Sequence, residues 1–265
     1  MFGSGIVIEH NFKKKFGQNF LQDSQSIQNI VDSINATPDD LIIEIGPGGG
    51  ALTRRLVKKE SYMIAYEIDT DTKEFLHELE SDKFHVIYDD FLNRDITNDI
   101  KDIKFNNLYI IGNLPYYITT PIITKIIESN IDVKEMVFMV QKEVADRFSA
   151  KPSTKDYGSI TVFLNYYFDI KKLFTVGKNK FKPVPNVDSA VIKLSKKDDI
   201  LPVDINKFSK FVKASFQFKR KNLRNNLSSY DKDKINAILN EYGYSLDNRA
   251  EDLDYDIFVD IVNRI

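Results

Sequence analysis

The chain has no cysteine. That excludes disulfides, thiolate nucleophiles and cysteine-bound zinc. Its three scattered histidines do not make a histidine-rich site either, so no metal is expected. No apolar run reaches the roughly 18 residues needed to cross a bilayer. Near the start, the apolar patch Ile6 to Ile8 has neither a basic flank nor a long apolar core, and it does not read as a signal peptide. A reducing, cytoplasmic setting away from membranes fits these absences. An excess of positive charge is missing too. The net charge of −2 argues mildly against a nucleic-acid partner, because phosphate binding favours basic proteins.

What the chain does have is length and locally clustered charge. Its 265 residues are enough for one sizeable core, or for a core domain with a small satellite. Basic residues gather at Lys13-Lys14-Lys15, at Lys178, Lys180 and Lys182, and at Lys219-Arg220-Lys221 with Arg224. Aromatic neighbours (Phe12, Phe16, Phe181, Phe216, Phe218) accompany each cluster. Distribution matters more than net charge for nucleic-acid binding. Taken alone, these clusters fit solvated lysine-rich faces as well as phosphate contacts.

The first two thirds alternate strand-like and helix-like segments. Leu41 to Ile45, Tyr62 to Ile68, Phe84 to Tyr88, Leu108 to Ile111 and Met136 to Val140 are apolar runs of strand length. Between them, Ala51 to Lys59, Asp71 to Glu80 and Pro121 to Ser129 have helical patterns. Such alternation predicts an α/β fold with a doubly wound, mostly parallel sheet. Ligands then bind beyond the carboxyl ends of the strands. Ser195 to Pro202 is charged, ends in proline and reads as a linker. Beyond it, helical spacing at Phe208, Phe211, Val212 and Phe216, at Ile235, Ile238 and Leu239, and at Ile257, Phe258, Ile261 and Val262 predicts a small all-helical domain. The expected boundaries are 12–197 and 203–265.

Leu41-Ile42-Ile43-Glu44-Ile45-Gly46-Pro47-Gly48-Gly49-Gly50 is a strand, an acid and a glycine turn opening a helix. Glycines there let backbone approach a ligand closely. A dinucleotide would place its pyrophosphate on this turn, usually with G-x-G-x-x-G spacing. Here the spacing is G-x-G-x-G. Glu44 would repel a pyrophosphate and attract the ammonium and sulfonium of S-adenosylmethionine. Glu67 ends the next strand, where a carboxylate accepts ribose hydroxyls, and Asp90 follows the third, in reach of an adenine amine. S-adenosylmethionine is therefore the expected cofactor.

The fourth strand ends in Gly112-Asn113-Leu114-Pro115-Tyr116-Tyr117. An exocyclic adenine amine is a poor nucleophile, because its lone pair is delocalised into the ring. Two acceptors, the Asn113 side chain and the Leu114 carbonyl, would hold its hydrogens and aim the lone pair at a methyl group. Pro115 pins the backbone for this task, and Tyr116 offers a face on which a base can stack.

These motifs together resemble the ribosomal RNA adenine dimethyltransferases. Phe16 to Leu21 is similar to the family's N-terminal motif, whose asparagine and leucine (Asn19 and Leu21 here) touch the cofactor. Glu44 to Thr53 resembles its E-x-G-P-G-x-G-A-L-T signature, with Gly46 at the cofactor. Gln141 to Arg147, Tyr157-Gly158 and Phe181 to Val191 match further segments, and the resemblance implies that Phe181 covers the opposite face of a flipped adenine. It also implies the Rossmann-like class I methyltransferase fold.

Leu114, Gln141 to Ala145 and Phe216 to Asn225 are similar to the branch that dimethylates two adjacent adenines near the 3′ end of small-subunit (16S) rRNA. The implied partner is that rRNA within a small subunit or its precursor, with no protein needed for the chemistry and a role in subunit biogenesis. Departures are Phe218 and Lys219, where a more polar or basic pair is usual, and Gly49, where a larger residue is common. Two other readings stand beside this one. They are a macrolide-resistance-type methyltransferase of large-subunit rRNA and a non-catalytic ribosome assembly factor.

Overall fold

The computed structural model describes residues 19–115 and 118–265. Phe12, Lys13-Lys14-Lys15, Phe16 and Tyr116 lie outside these described residues. Nine strands are seen among them. β1 (Phe20–Leu21), β2 (Leu41–Ile45), β3 (Tyr62–Tyr66), β4 (Phe84–Ile87) and β5 (Leu108–Asn113) come first. β6 (Val133–Gln141), β7 (Phe168–Val176), β8 (Phe181–Lys182) and β9 (Ser189–Lys196) follow. Seven of them form one sheet in the order β4-β3-β2-β5-β6-β9-β7, while β1 and β8 pair separately. β2 is buried along its whole length, as a parallel strand covered on both faces must be.

Helices α1 (Ser24–Asp32) and α2 (Thr53–Leu56) lie on one face, where Ile27, Ile30 and Leu56 meet Ile42, Met63 and Ile111. Short α3 (Lys73–Leu76) follows β3. On the other face, α4 (Ile96–Ile100) and α5 (Thr119–Glu128) place Ile96, Ile122 and Ile126 against Leu41, Ile43 and Ile45. The alternation of β2 side chains therefore puts Glu44 on the α1–α2 face. α6 (Lys142–Phe148) and α7 (Ser159–Tyr167) lead into the antiparallel part of the sheet.

The chain runs outward from β2 to β3 and β4, then returns to β5 on the other side of β2. That reversal opens a crevice at the carboxyl ends of β2 and β5. Close approach of the two strands depends on Gly112. A Cβ there would sit 2.6 Å from the Ile45 carbonyl oxygen.

The remaining helices are α8 (Ile205–Ser215), α9 (Leu223–Asn226), α10 (Lys232–Glu241) and α11 (Tyr255–Arg264). Asp204, Asp231 and Asp254 start three of them by accepting backbone N–H groups. Their core of Phe208, Phe211, Ile238 and Phe258 also takes in Val162 and Tyr166 of α7. The expected helical unit thus shares its core with a helix of the preceding segment.

Several expectations need correction. The Ala51–Lys59 and Asp71–Glu80 helices are single α-turns, α2 and α3, continued by 3₁₀ turns, and β3 stops at Tyr66 rather than Ile68. β9 runs through Lys196 into the expected linker. Antiparallel β7 and β9 went unrecognised because charged residues such as Lys171, Lys172 and Lys193 interrupt their apolar runs.

Gly112→Ala should destabilise the protein by about 1–3 kcal/mol, since backbone must move to admit the methyl group. Gly49→Ala, where an added Cβ meets nothing within 4 Å, should change stability by less than about 0.5 kcal/mol. Urea unfolding of the two variants tests the contrast.

Candidate active site

A cavity of about 200 Å³ lies at the carboxyl ends of β2 and β5. Asn19, Leu21, Gly46, Glu67, Asp90 and Asn113, the six residues expected at a cofactor, all line it. Leu114, Pro115 and Phe181 from the expected target site line the same cavity. Two sets of residues separated along the chain thus share one space.

The glycine turn forms its floor. Gly46, Gly48 and Gly50 have φ of +71°, +54° and +77°, values that side-chain-bearing residues rarely adopt. The turn is held by Glu67, whose Oε2 accepts the Gly48 N–H at 2.8 Å and whose Oε1 accepts the Asp69 N–H at 2.8 Å. Each carboxylate oxygen has two lone-pair sites, so Glu67 keeps acceptor capacity for ligand hydroxyls. Burial raises its pKa above the ordinary carboxylate value. Asp90 caps a 3₁₀ turn, with Oδ1 accepting the Leu92 N–H at 2.9 Å. That bond holds its carboxylate at the cavity wall.

Glu44 lines the same cavity from beneath the turn. It is 1% exposed, and its Oε2 accepts the Thr53 hydroxyl at 2.8 Å. Burial first, then repulsion from Glu67, pushes its pKa up to about 8. In the ligand-free protein, burial thus favours the protonated form of Glu44. Bonding to Thr53 joins the end of β2 to the start of α2 beneath the turn.

At the target end, the Asn113 Nδ2 donates to the Asn19 carbonyl at 3.2 Å. With its NH₂ turned to Asn19, the carboxamide presents an acceptor, Oδ1, on its other side. The Leu114 N–H donates to the Met139 carbonyl at 3.2 Å, and the Pro115 carbonyl accepts the Ile118 N–H at 3.1 Å. The backbone of the motif is thus tied to β6 and to the start of α5. Phe181 is 4% exposed. Its backbone pairs with Leu21 in the β1–β8 ribbon, which brings it over the same cavity.

Apolar lining residues Ile68, Leu92 and Met139 were missed in the sequence. A signal existed for Ile68, an apolar residue that directly follows Glu67 at the end of an expected strand. Among the basic clusters, Lys178, Lys182 and Lys221 are exposed, Lys219 donates to the Lys155 carbonyl, and Phe218 is 56% exposed beside them. Within the second cluster, the Lys180 ammonium group is half-exposed and lies 2.8 Å from Asp23. Among the described residues, no group of acids and histidines could hold a metal ion, and no helix is long and apolar enough to cross a membrane.

The family model for ribosomal RNA adenine dimethylase matches residues 9–265. The chain belongs to the ribosomal RNA adenine dimethylase family. Ribosomal RNA small subunit methyltransferase A of Onion yellows phytoplasma (strain OY-M) is 42% identical over 256 residues, covering 95% of each chain. The protein of the same name from Mycoplasma mobile is 42% identical over 253 residues, covering 95% of this chain and 97% of its own. A dimethyladenosine transferase from Plasmodium falciparum superposes with a TM-score of 0.77 at 22% identity, covering 91% of this chain and 95% of its own. The 23S rRNA methyltransferase ErmE gives a TM-score of 0.72 at 25% identity, covering 93% and 99%. The expected fold class, a Rossmann-like methyltransferase sheet followed by helices, is what this member of the adenine dimethylase family has.

The raised pKa of Glu44 makes stability fall with pH. A carboxyl that binds its proton more tightly when folded stabilises the fold at low pH, and this gain is lost as pH rises from 4.5 through about 8. Glu67 acts in the same direction. The ligand-free wild type should lose a few kcal/mol between pH 6 and pH 9. Glu44→Gln, neutral at every pH, should show a flatter Tm profile and exceed the wild type at pH 9. Parallel profiles would mean that Glu44 is already ionised in the folded protein.

Proposed function

We propose that this chain dimethylates the exocyclic amines of two adjacent adenines near the 3′ end of small-subunit (16S) rRNA, with S-adenosylmethionine as methyl donor. One observation carries the reading: residues of the target motif and residues suited to a nucleoside cofactor open onto one cavity. The small-subunit assignment is supported by relatives at 42% identity that carry that substrate in their names. It is preferred to a large-subunit, resistance-type role or a purely non-catalytic one. The place of action that follows is the cytoplasm, on a small subunit or its precursor.

The donor set fits a nucleoside cofactor. Glu67 would take the ribose hydroxyls and Asp90 the adenine amine, with Ile68 and Leu92 against the adenine faces. Asn19, Leu21 and Gly46 would close around the amino-acid end. When bound, S-adenosylmethionine supplies an electrophilic methyl group. The chain's own task is alignment. Asn113 Oδ1 and the Leu114 carbonyl accept the hydrogens of the target amine, Pro115 fixes that carbonyl, and Tyr116 and Phe181 hold the base from opposite faces. Alignment of this kind can supply about 7–11 kcal/mol of the barrier. Dimethylation would take a second cofactor molecule and release one proton from the amine at each transfer, so the site must admit an amine already carrying one methyl group. Exposed bases such as Lys178, Lys182 and Lys221 would meet phosphates, and A-form RNA would be recognised largely by shape.

Labelled S-adenosylmethionine supplied to unmethylated small subunits, large subunits and naked RNA should yield dimethyladenosine in small-subunit rRNA. Label confined to large subunits would overturn the substrate assignment. Asn113→Ala should lower turnover about 10²–10³-fold, by analogy with loss of one preorganised hydrogen-bonding group; near-normal turnover would refute the amine geometry. Glu67→Ala should weaken cofactor binding in a calorimetric titration and leave RNA affinity almost unchanged.

A further inference from the structure

Lys180 belongs, by sequence, to a basic cluster with Lys178 and Lys182, yet its surroundings differ from theirs. Its Nζ lies 2.8 Å from Asp23 Oδ2 and 3.2 Å from Ser26 Oγ. Asp23 is also the N-cap of α1, accepting the Ser26 N–H at 2.9 Å and the Ser26 hydroxyl. The carboxylate therefore gathers three donors at one point, and Lys180 draws its pKa down to about 2. Next to this tie, the Gln22 N–H donates to the Lys180 carbonyl at 2.8 Å. Beyond that, Leu21 pairs with Phe181 and Phe20 with Lys182.

β1 and β8 have two residues each. A two-stranded ribbon is marginal without further support. The ion pair and the cap provide that support at one end. At the other end, the Asn19 carbonyl accepts from the Asn113 side chain. One short ribbon thus touches three things: the cofactor-facing residues Asn19 and Leu21, the proposed wall Phe181, and the amide proposed to activate the amine. Asp23 and Lys180 are 157 positions apart in the chain, so the tie adds a side-chain link to the short ribbon through which these two distant segments meet.

We infer that Lys180 is a positioning residue for methyl transfer, locking β8 to β1 through Asp23 so that the residues closing on the cofactor and the wall against the target base are set together. The inference rests on reading Phe181 and Asn113 as target-site residues. It assigns Lys180 to the enzyme's own geometry and leaves phosphate contacts to its exposed neighbour Lys178. An ammonium group with its charge matched by Asp23, and two donors committed to Asp23 and Ser26, contributes little to counterion release on RNA.

The test uses the full-length protein with Lys180→Met, Lys180→Arg, Asp23→Asn and the Asp23→Asn/Lys180→Met double variant. Asn still caps a helix, so Asp23→Asn removes the ion pair and keeps α1. Three quantities are measured: cofactor affinity by calorimetry without RNA, kcat and KM on unmethylated small subunits, and the salt dependence of subunit binding without cofactor. Lys180→Met and Asp23→Asn should each lower kcat about 10–100-fold, as a displaced reacting geometry does, and weaken cofactor binding, with KM for subunits nearly unchanged. The double variant should be no worse than either single one, Lys180→Arg should recover most of the loss, and the salt slope should stay at the wild-type value.

A Lys180→Met variant with normal cofactor affinity and a salt slope reduced by roughly 0.7–0.9 would make Lys180 a phosphate contact and overturn the inference. Additive effects of the two single variants would overturn it as well. Should Lys180→Met fail to fold, Asp23→Asn with full kcat and full cofactor affinity would refute it. Wild-type protein inactive on small subunits would overturn the proposed function instead, while the cofactor-affinity cycle would still report on the tie.

Discussion

Where β2 lies beside β5, Ile45 stands opposite Gly112 and no side chain separates the two backbones. The glycine turn leaves one strand at that point and the Asn113-Leu114-Pro115 segment leaves the other. Because the strands are parallel and neighbours across the reversal of the sheet, both segments emerge on the same side. A one-residue slip in register would turn every side chain of β2, Glu44 included, to the opposite face of the sheet. The spacing between the two segments is therefore held by the whole core, which suits a reaction that depends on alignment.

Inside that frame, two carboxyls hold the glycine turn from different sides. Glu67 takes the Gly48 N–H, and Glu44 takes the Thr53 hydroxyl at the start of α2. Both are buried, and both resist ionisation for that reason. A buried acid close to another acid is a costly arrangement in a protein with no ligand, and a cationic ligand relieves it. The cavity therefore brings together two acids whose pKa values are both raised. This is a common signature of a functional site.

The basic surface follows a different logic. Exposed lysines and Phe218 lie on loops around α7, β8 and α9, while the C-terminal helices close their core over Val162 and Tyr166. Sharing α7 between two hydrophobic clusters ties the basic surface of the C-terminal segment to the sheet that carries the cavity. A net charge of −2 is compatible with such a surface, since the acids are largely spent on helix caps and ion pairs such as Asp204, Asp231, and Asp260 with Arg264.

Much of this was legible in the sequence. β2 runs from Leu41 to Ile45 as the apolar run predicts, and Glu67, Asp90 and Asn113 come to one cavity because each follows a successive parallel strand. Strand identity, turn chemistry and the order of acids after strands are local properties, so composition and spacing determine them. The antiparallel β7 and β9 escaped because charged residues break their apolar pattern, and the segment around α3 is helical as expected but divided between one α-turn and flanking 3₁₀ turns. The raised pKa of Glu44 and the pairing of Lys180 with Asp23 were decided by tertiary structure alone. A pKa depends on how much water a fold removes, and an ion pair depends on which distant residues the fold brings within 3 Å or so. Neither quantity exists until the chain has closed on itself.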